Sequence, residues 1–201
     1  MKVILDNLTA FVVYMYSVSQ SERILLMKIA ILGFSGSGKS TLAKQLSAFY
    51  NIPLLYLDCV NFKENWVVRN KDEQRAMVAE FMKNESWVID GNYNSLYQKE
   101  RLFEADLIII LYYNRFACMK GAFKRNIEYK NKVRESISDG CCERMNFEFF
   151  LWVLYQQYYF KRKNHFKGIK SLYPKKTLLL RSRKKLNIFL GSIMKGDNIN
   201  A

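Results

Sequence analysis

Lys28-Ile29-Ala30-Ile31-Leu32-Gly33-Phe34-Ser35-Gly36-Ser37-Gly38-Lys39-Ser40-Thr41-Leu42 is the stretch that decides the fold. An apolar run ends at Gly33, small residues follow, and Thr41-Leu42-Ala43-Lys44-Gln45-Leu46 reads as the start of a helix. Gly33, Gly38, Lys39 and Ser40 fit G-x-x-x-x-G-K-[ST], a phosphate-binding loop set between a strand and a helix. The spacing has a chemical reason. Glycines let the loop curl until successive backbone N–H groups converge on one anion. The helix that follows offers its unpaired N-terminal N–H groups and the positive end of its dipole to the same anion. The expected nucleotide-binding set is therefore Gly33, Ser35, Gly36, Ser37, Gly38, Lys39, Ser40 and Thr41. Lys39 reaches the β- and γ-phosphates of ATP, and the Ser40 hydroxyl holds Mg²⁺. A chance Gly/Ser turn is the plainer alternative, and the strand before and helix after weigh against it.

The chain has 201 residues, of ordinary size for one domain. At 50% hydrophobic and 15% aromatic residues it has the makings of a core and excludes a disordered chain. The formal net charge of +14 is concentrated from Arg115 onward, in Lys120, Lys124, Arg125, Lys130, Lys132, Arg134, Lys161 to Lys163, Lys175-Lys176 and Arg181 to Lys185. Such a half implies an anionic partner, either phosphorylated small molecules or nucleic acid, or else a solvated surface with no partner. Cys59, Cys118, Cys141 and Cys142 form no C-x-x-C pair, and His165 is the one histidine, which argues against a zinc site. Free thiols in a reducing cytoplasm are the expected state.

Residues 1–26 stand apart. Their apolar run Phe11-Val12-Val13-Tyr14-Met15-Tyr16 is too short to span a bilayer, so no integral membrane segment is expected. A strong cationic n-region and a cleavage site are both missing. We expect a poorly integrated extension ahead of a domain covering residues 27–201, with an amphipathic membrane-surface helix as the alternative.

Beyond the first helix, Asn51 is a stop signal and Ile52 to Leu57 reads as a short strand with Pro53 at its edge. Asp58 then falls at a strand's C-terminal end, where open α/β sheets bind ligands. It is a candidate for the acceptor substrate or for Mg²⁺-bound water, against the alternative of a turn Asp. Asn61 to Asn70 is a polar loop carrying Trp66. Asp72-Glu73 opens a helix whose apolar stripe is Met77, Val78, Phe81 and Met82. Trp87-Val88-Ile89-Asp90-Gly91 ends a β-rich run in a carboxylate, the shape of a Walker B strand whose Asp90 contacts Mg²⁺ through water. Ser95 to Glu104 reads as a helix bearing Arg101, and Ala105 to Leu111 as a strand buried on both faces. A basic helix follows Asn114-Arg115, and a polar segment of about residues 125–145 suits a mobile lid. In it Arg125 and Arg134 are candidates for clamping phosphate oxygens, or else solvent-facing arginines. Phe147, Phe150, Leu151, Leu154 and Tyr158 recur at helical spacing and read as core rather than as bases' stacking partners. Thr177 to Leu180 is a last strand, Ser182 caps the final helix, and Arg183 sits where a nucleotide base stacks.

Strands alternating with helices imply a doubly wound parallel sheet. The chain resembles the adenylate-kinase-related P-loop proteins known as DNA topology modulation proteins of the FlaR type. The shared residues are Met27 to Gly33 with Ser35 to Leu42, Leu57-Asp58, Trp66-Val67, Trp87 to Tyr93, Arg101 ahead of Ala105-Asp106, Arg115, Lys124-Arg125, Gly140-Cys141, Glu143-Arg144, Phe147 to Phe149, Trp152 and Leu180 to Ser182. The resemblance implies a five-stranded parallel sheet of the nucleotide-kinase type, ATP and Mg²⁺ binding, and a closing helical lid. Where that family often has Arg after Arg115 this chain has Gly121, and its lid reads Arg134-Glu135-Ser136 in place of Arg-Pro-Asp. Adenylate kinases carry an Arg three residues beyond the equivalent of Gly91, where this chain has Asn94. The reading is phosphoryl transfer from ATP to a small acceptor, with a nucleoside monophosphate as one candidate. Lys39, Asp58, Asp90, Arg101, Arg125 and Arg134 form the catalytic set, and Ser40 with Asp90 the metal set. The rival is a nucleotide-dependent regulatory protein that binds DNA through its basic C-terminal half.

Overall fold

The computed structural model describes residues 27–129, 134–138, 140–141, 147–155 and 160–196. The expected extension of residues 1–26, Tyr158 and parts of the expected lid lie outside them. Five strands form the sheet: β1 (Lys28–Gly33), β2 (Leu54–Tyr56), β3 (Trp87–Asp90), β4 (Leu107–Leu111) and β5 (Thr177–Leu180). All pair in parallel, in the order β2-β3-β1-β4-β5. The helices are α1 (Lys39–Tyr50), α2 (Leu57–Asn61), α3 (Lys71–Met82), α4 (Gln98–Glu104), α5 (Arg115–Glu128), α6 (Phe147–Leu154), α7 (Phe160–Leu172) and α8 (Arg183–Gly196). They flank the sheet, so this is a P-loop-type α/β fold.

The central strands are apolar without alternation because helices cover both faces. Ile29 to Leu32, Val88, Ile89 and Ile108 to Leu111 are all fully enclosed. Leu42 and Leu46 seal α1 against them, joined by Phe34, Phe166 and Phe189. Polar residues set the helix boundaries. Asn51 ends α1 in the left-handed region, Asn70 Oδ1 accepts from Asp72 N–H at 2.8 Å, and Asn114 Oδ1 accepts from Ala117 N–H at 2.8 Å. Ser182 Oγ accepts from Lys185 N–H at 3.3 Å, which opens α8.

Register aligns the functional ends. Ile31 lies opposite Asp90, Tyr56 opposite Asp90, Gly33 opposite Leu111, and Leu111 opposite Leu180. Every strand therefore delivers its C-terminal residue to one edge, the edge at which parallel sheets bind ligands.

Several boundaries differ from the sequence expectation. The second strand stops at Tyr56, and Leu57-Asp58 begin α2, where Phe62 N–H reaches the Asp58 carbonyl at 3.0 Å. Asp58 thus rides on a helical turn immediately past the strand. Residues 95–97 are turn, and α4 begins only at Gln98 after Tyr97 takes a φ of 50°. Met77 and Leu151 are 38% and 37% exposed, so Val78 and Val153 supply the enclosed contacts expected of them. Replacing the enclosed Ile109 of β4 by Ala leaves a cavity that the sheet cannot collapse. We expect a loss of about 2–5 kcal/mol, read as a lower denaturant midpoint at unchanged m value.

Candidate functional site

The loop between β1 and α1 turns at Gly36 and Gly38, with φ of 75° and 92°. Gly38 is also the N-cap of α1 and supplies no side-chain acceptor, so the first N–H groups of α1 remain for an anion. Ser35 is half-buried, Ser37 is enclosed with a hydroxyl that has no hydrogen-bond partner, and Thr41 is exposed on the first turn of α1. The Lys39 ammonium folds back onto the Phe34 carbonyl at 3.1 Å, inside the curve of the loop.

Ser40 Oγ donates to Asp90 Oδ2 at 2.7 Å. Asp90 is only 6% exposed, and its Oδ1 has no hydrogen-bond partner. Burial pushes its carboxyl above the ordinary range, opposed first by Lys39 and then by the Ser40 hydrogen bond. Burial likewise pulls Lys39 below the ordinary lysine value, and Asp90 and then Asp58 oppose the drop. An enclosed, unpaired carboxylate oxygen beside a serine hydroxyl is an oxygen donor pair suited to Mg²⁺. The residues present therefore fit that ion.

Asp58 lies across from this pair. Its Oδ1 accepts from the Tyr93 hydroxyl at 2.8 Å, and Tyr93 itself is pushed well above the ordinary tyrosine value by burial and by Asp58. Burial also raises the neighbouring Tyr56, to about 12. Arg134 acts on both Asp90 and Tyr93 as a minor opposing charge. Its neighbour Glu135 pairs with Lys44 of α1. The expected lid continues through Ser138, whose hydroxyl donates to the carbonyls of Cys59, at 3.2 Å, and Phe62. It then reaches Cys141, whose thiol accepts from Trp66 N–H at 3.1 Å and donates to the Lys63 carbonyl at 3.4 Å. The described lid residues are thus tied to the loop after α2.

Arg101 does not join this group. It is fully enclosed, and its guanidinium donates to the carbonyls of Leu96 at 2.8 Å, Tyr93 at 2.8 Å and Gly91 at 3.5 Å. Burial lowers it to about 10. All its donors face the β3–α4 loop rather than a ligand, because three carbonyls shut away from water need a partner.

Gly121 of α5 presses on the phosphate loop. A Cβ there would lie 2.0 Å from the Gly36 carbonyl oxygen and 2.8 Å from Arg183 Nη2. The space that a side chain would enter at position 121 is therefore already filled, and Arg183 is brought to the loop's outer rim. Arg125, four residues on, stacks over Phe149 with 5.7 Å to the ring centroid and adds to the lowering of Lys39. Among the described residues, then, Lys39, Ser40, Asp90, Asp58, Arg134, Arg125 and Arg183 gather around one loop.

Asn92 escaped the sequence reading. Its side chain brackets the first glycine of the loop, accepting from Gly33 N–H at 3.0 Å and donating to the Gly33 carbonyl at 2.7 Å. Gln98 in turn donates to the Asn92 carbonyl at 3.0 Å. The only signal was the place of Asn92 two residues after Asp90.

No family model and no curated protein matches the chain. Among solved structures it is similar to an uncharacterized protein from Eubacterium ventriosum, at 17% identity over 82% of this chain and 96% of that one, with a TM-score of 0.42. It is also similar to deoxyadenosine kinase from M. mycoides at 16% identity, over 87% of this chain and 100% of that one. The TM-score is 0.45 for the complex with dCMP and a flexible dCDP, and 0.47 for the complex with dATP.

The Arg101 geometry has a direct consequence. We expect both Arg101→Met and Arg101→Lys to lower stability by about 2–4 kcal/mol, since each leaves enclosed carbonyls unpaired and Lys lacks the planar fork. Denaturant unfolding of the two variants checks this; a neutral Arg101→Lys would mean that the fork is not what the loop requires.

Proposed function

We propose that this chain binds ATP in the Gly33–Thr41 loop and transfers the terminal phosphoryl group to a small acceptor on the Asp58 side. The observation that carries this reading is the Ser40–Asp90 contact of 2.7 Å beside the Lys39 ammonium. Two strands and a helix start combine there to place two metal-type oxygen donors and one cation around an uncapped helix N-terminus. The resemblance to FlaR-type, adenylate-kinase-related proteins belongs to the same reading.

Phosphoryl transfer asks little covalent chemistry of a protein; it asks for positioning and charge neutralisation. Loop N–H groups and Lys39 hold the β- and γ-phosphates. Ser40 and Asp90 hold Mg²⁺, which when bound neutralises phosphate charge. Asp58 orients the acceptor, and Arg125 and Arg134 approach the transferred group. Arg183 lies against the base. Arg101 acts at one remove, as the brace of the loop that carries Tyr93.

Calorimetric titration with ATP and Mg²⁺, followed by ADP release over a panel of acceptors, tests this. We expect Lys39→Ala to lower acceptor-dependent ADP release at least about 100-fold with the fold intact by circular dichroism. We expect Asp90→Asn and Ser40→Ala to raise the Mg²⁺ concentration needed for half-maximal rate. An intact protein that shows no ATP affinity would overturn the proposal.

A further inference from the structure

We propose that Asn92 is a positioning residue for the phosphate loop, its side-chain amide holding the peptide at which the chain leaves β1; this rests on the ATP-binding reading above. β1 and β3 pair as far as Ile31 opposite Asp90, and the Gly91 N–H closes a last rung on the Ile31 carbonyl at 3.1 Å. β3 then turns away at Gly91, whose φ is 143° and whose added Cβ would lie 2.8 Å from Leu57 Cβ. Two residues beyond Ile31, on the same side of β1, Gly33 presents its N–H and carbonyl to the space that β3 has left. The Asn92 side chain enters that space, accepting from the Gly33 N–H at 3.0 Å and donating to the Gly33 carbonyl at 2.7 Å. A primary amide, like a peptide, carries a donor and an acceptor in one plane. Asn92 thus adds the rung that the backbone of β3 no longer supplies.

The consequence lies one bond further on. The Gly33 carbonyl and the Phe34 N–H belong to a single peptide unit. Asn92 holds its carbonyl from the β3 side, and the Leu111 carbonyl accepts its N–H at 3.3 Å from the β4 side. Gly33 has a φ of 148°, and a Cβ there would lie 2.5 Å from the Leu111 carbonyl oxygen, so glycine is required. A residue of such torsional freedom needs outside bonds to fix the direction in which the chain leaves. The next carbonyl, that of Phe34, accepts from the Ser37 N–H at 3.2 Å and from the Lys39 ammonium at 3.1 Å. Lys39 and the loop are therefore registered on the sheet through the peptide that Asn92 pins. Asn92 is itself supported. Gln98, which is enclosed, donates to its carbonyl at 3.0 Å, and Arg101 donates to the carbonyls on either side, Gly91 at 3.5 Å and Tyr93 at 2.8 Å. One short segment thus carries Asp90 to Ser40 and Asn92 to Gly33, and a single support sets both.

Calorimetric titration of ATP with Mg²⁺ into the intact chain, Asn92→Asp and Asn92→Ala tests this, each at a temperature where circular dichroism shows it folded. Asn92→Asp is the sharper variant. Ionised, it still accepts from the Gly33 N–H but sets a negative oxygen against the Gly33 carbonyl; protonated, it donates again. We expect both variants to raise the dissociation constant for ATP at least about 10-fold at about pH 8. Relative to the intact chain, the Asn92→Asp constant then falls toward about pH 5 as the carboxyl gains its proton, while the Asn92→Ala ratio stays level. Ile109→Ala, destabilised within β4, is the control and keeps its ATP affinity. Asn92 variants that lose stability yet bind ATP as the intact chain does would overturn the assignment and leave ATP binding standing. An equal loss of affinity in Ile109→Ala, or an Asn92→Asp ratio that does not move with pH, would sink it as well. Absence of ATP binding in the intact chain would overturn both readings.

Discussion

The hydrogen bond from Ser40 to Asp90 is the constraint on which the site depends, and it is set by strand register. β1 and β3 pair so that Ile31 faces Asp90, which puts the carboxylate level with the start of the loop and within reach of the first turn of α1. A slip of one residue would turn Asp90 to the opposite face of the sheet and remove it from Ser40 altogether. Register is in turn fixed by enclosed side chains from Ile29 to Leu32 and from Trp87 to Ile89. The carboxylate that ends β3 is therefore held by the whole core. Its burial opposes ionisation, and Lys39 offsets that opposition at close quarters. Two buried groups of opposite charge, each disfavoured alone, keep the centre polar where apolar packing would otherwise close it.

Much of this was legible because it follows local rules. The Gly-rich loop, the apolar strands, the Asn51 stop and the Ser182 cap each depend on neighbours within a few residues, so spacing alone places them. Arg101 was not legible as a brace. A long cationic side chain near a cleft has the same sequence signature whether its fork faces a ligand or three carbonyls, and only the path of residues 91–96 decides between them. Asn92 was missed for a related reason: its partner Gly33 is 59 residues away. Asp58 was placed at the correct edge but on the wrong element, since a three-residue strand running straight into a helical turn carries no boundary signal.

Gly121 illustrates the limit of reading a residue from its own helix. A glycine in the middle of α5 weakens that helix by roughly 1 kcal/mol relative to Ala, and by itself suggests a lost side chain. In three dimensions it is a contact surface. The Gly36 carbonyl sits where its Cβ would be, and the Arg183 guanidinium fills the remaining space. Loop, α5 and the start of α8 thus converge on one point with no room between them. A helix that arrives from β4 and another that follows β5 are coupled in this way to the curvature of the Gly33–Thr41 loop.

The lid side is built on a different principle. Its described residues attach through a thiol, a hydroxyl and an exposed ion pair, with little enclosed apolar surface beyond Ile137. Such contacts are individually weak, and the Lys44–Glu135 pair is screened by water on both partners. They nevertheless bridge separate elements, because Glu135 reaches α1 while Ser138 and Cys141 reach α2 and the loop after it. A segment fastened at both banks by many small bonds can release without disturbing the sheet, whose stability lies in its core. The rigid half of the molecule thus fixes the Ser40–Asp90 pair beside the glycine loop.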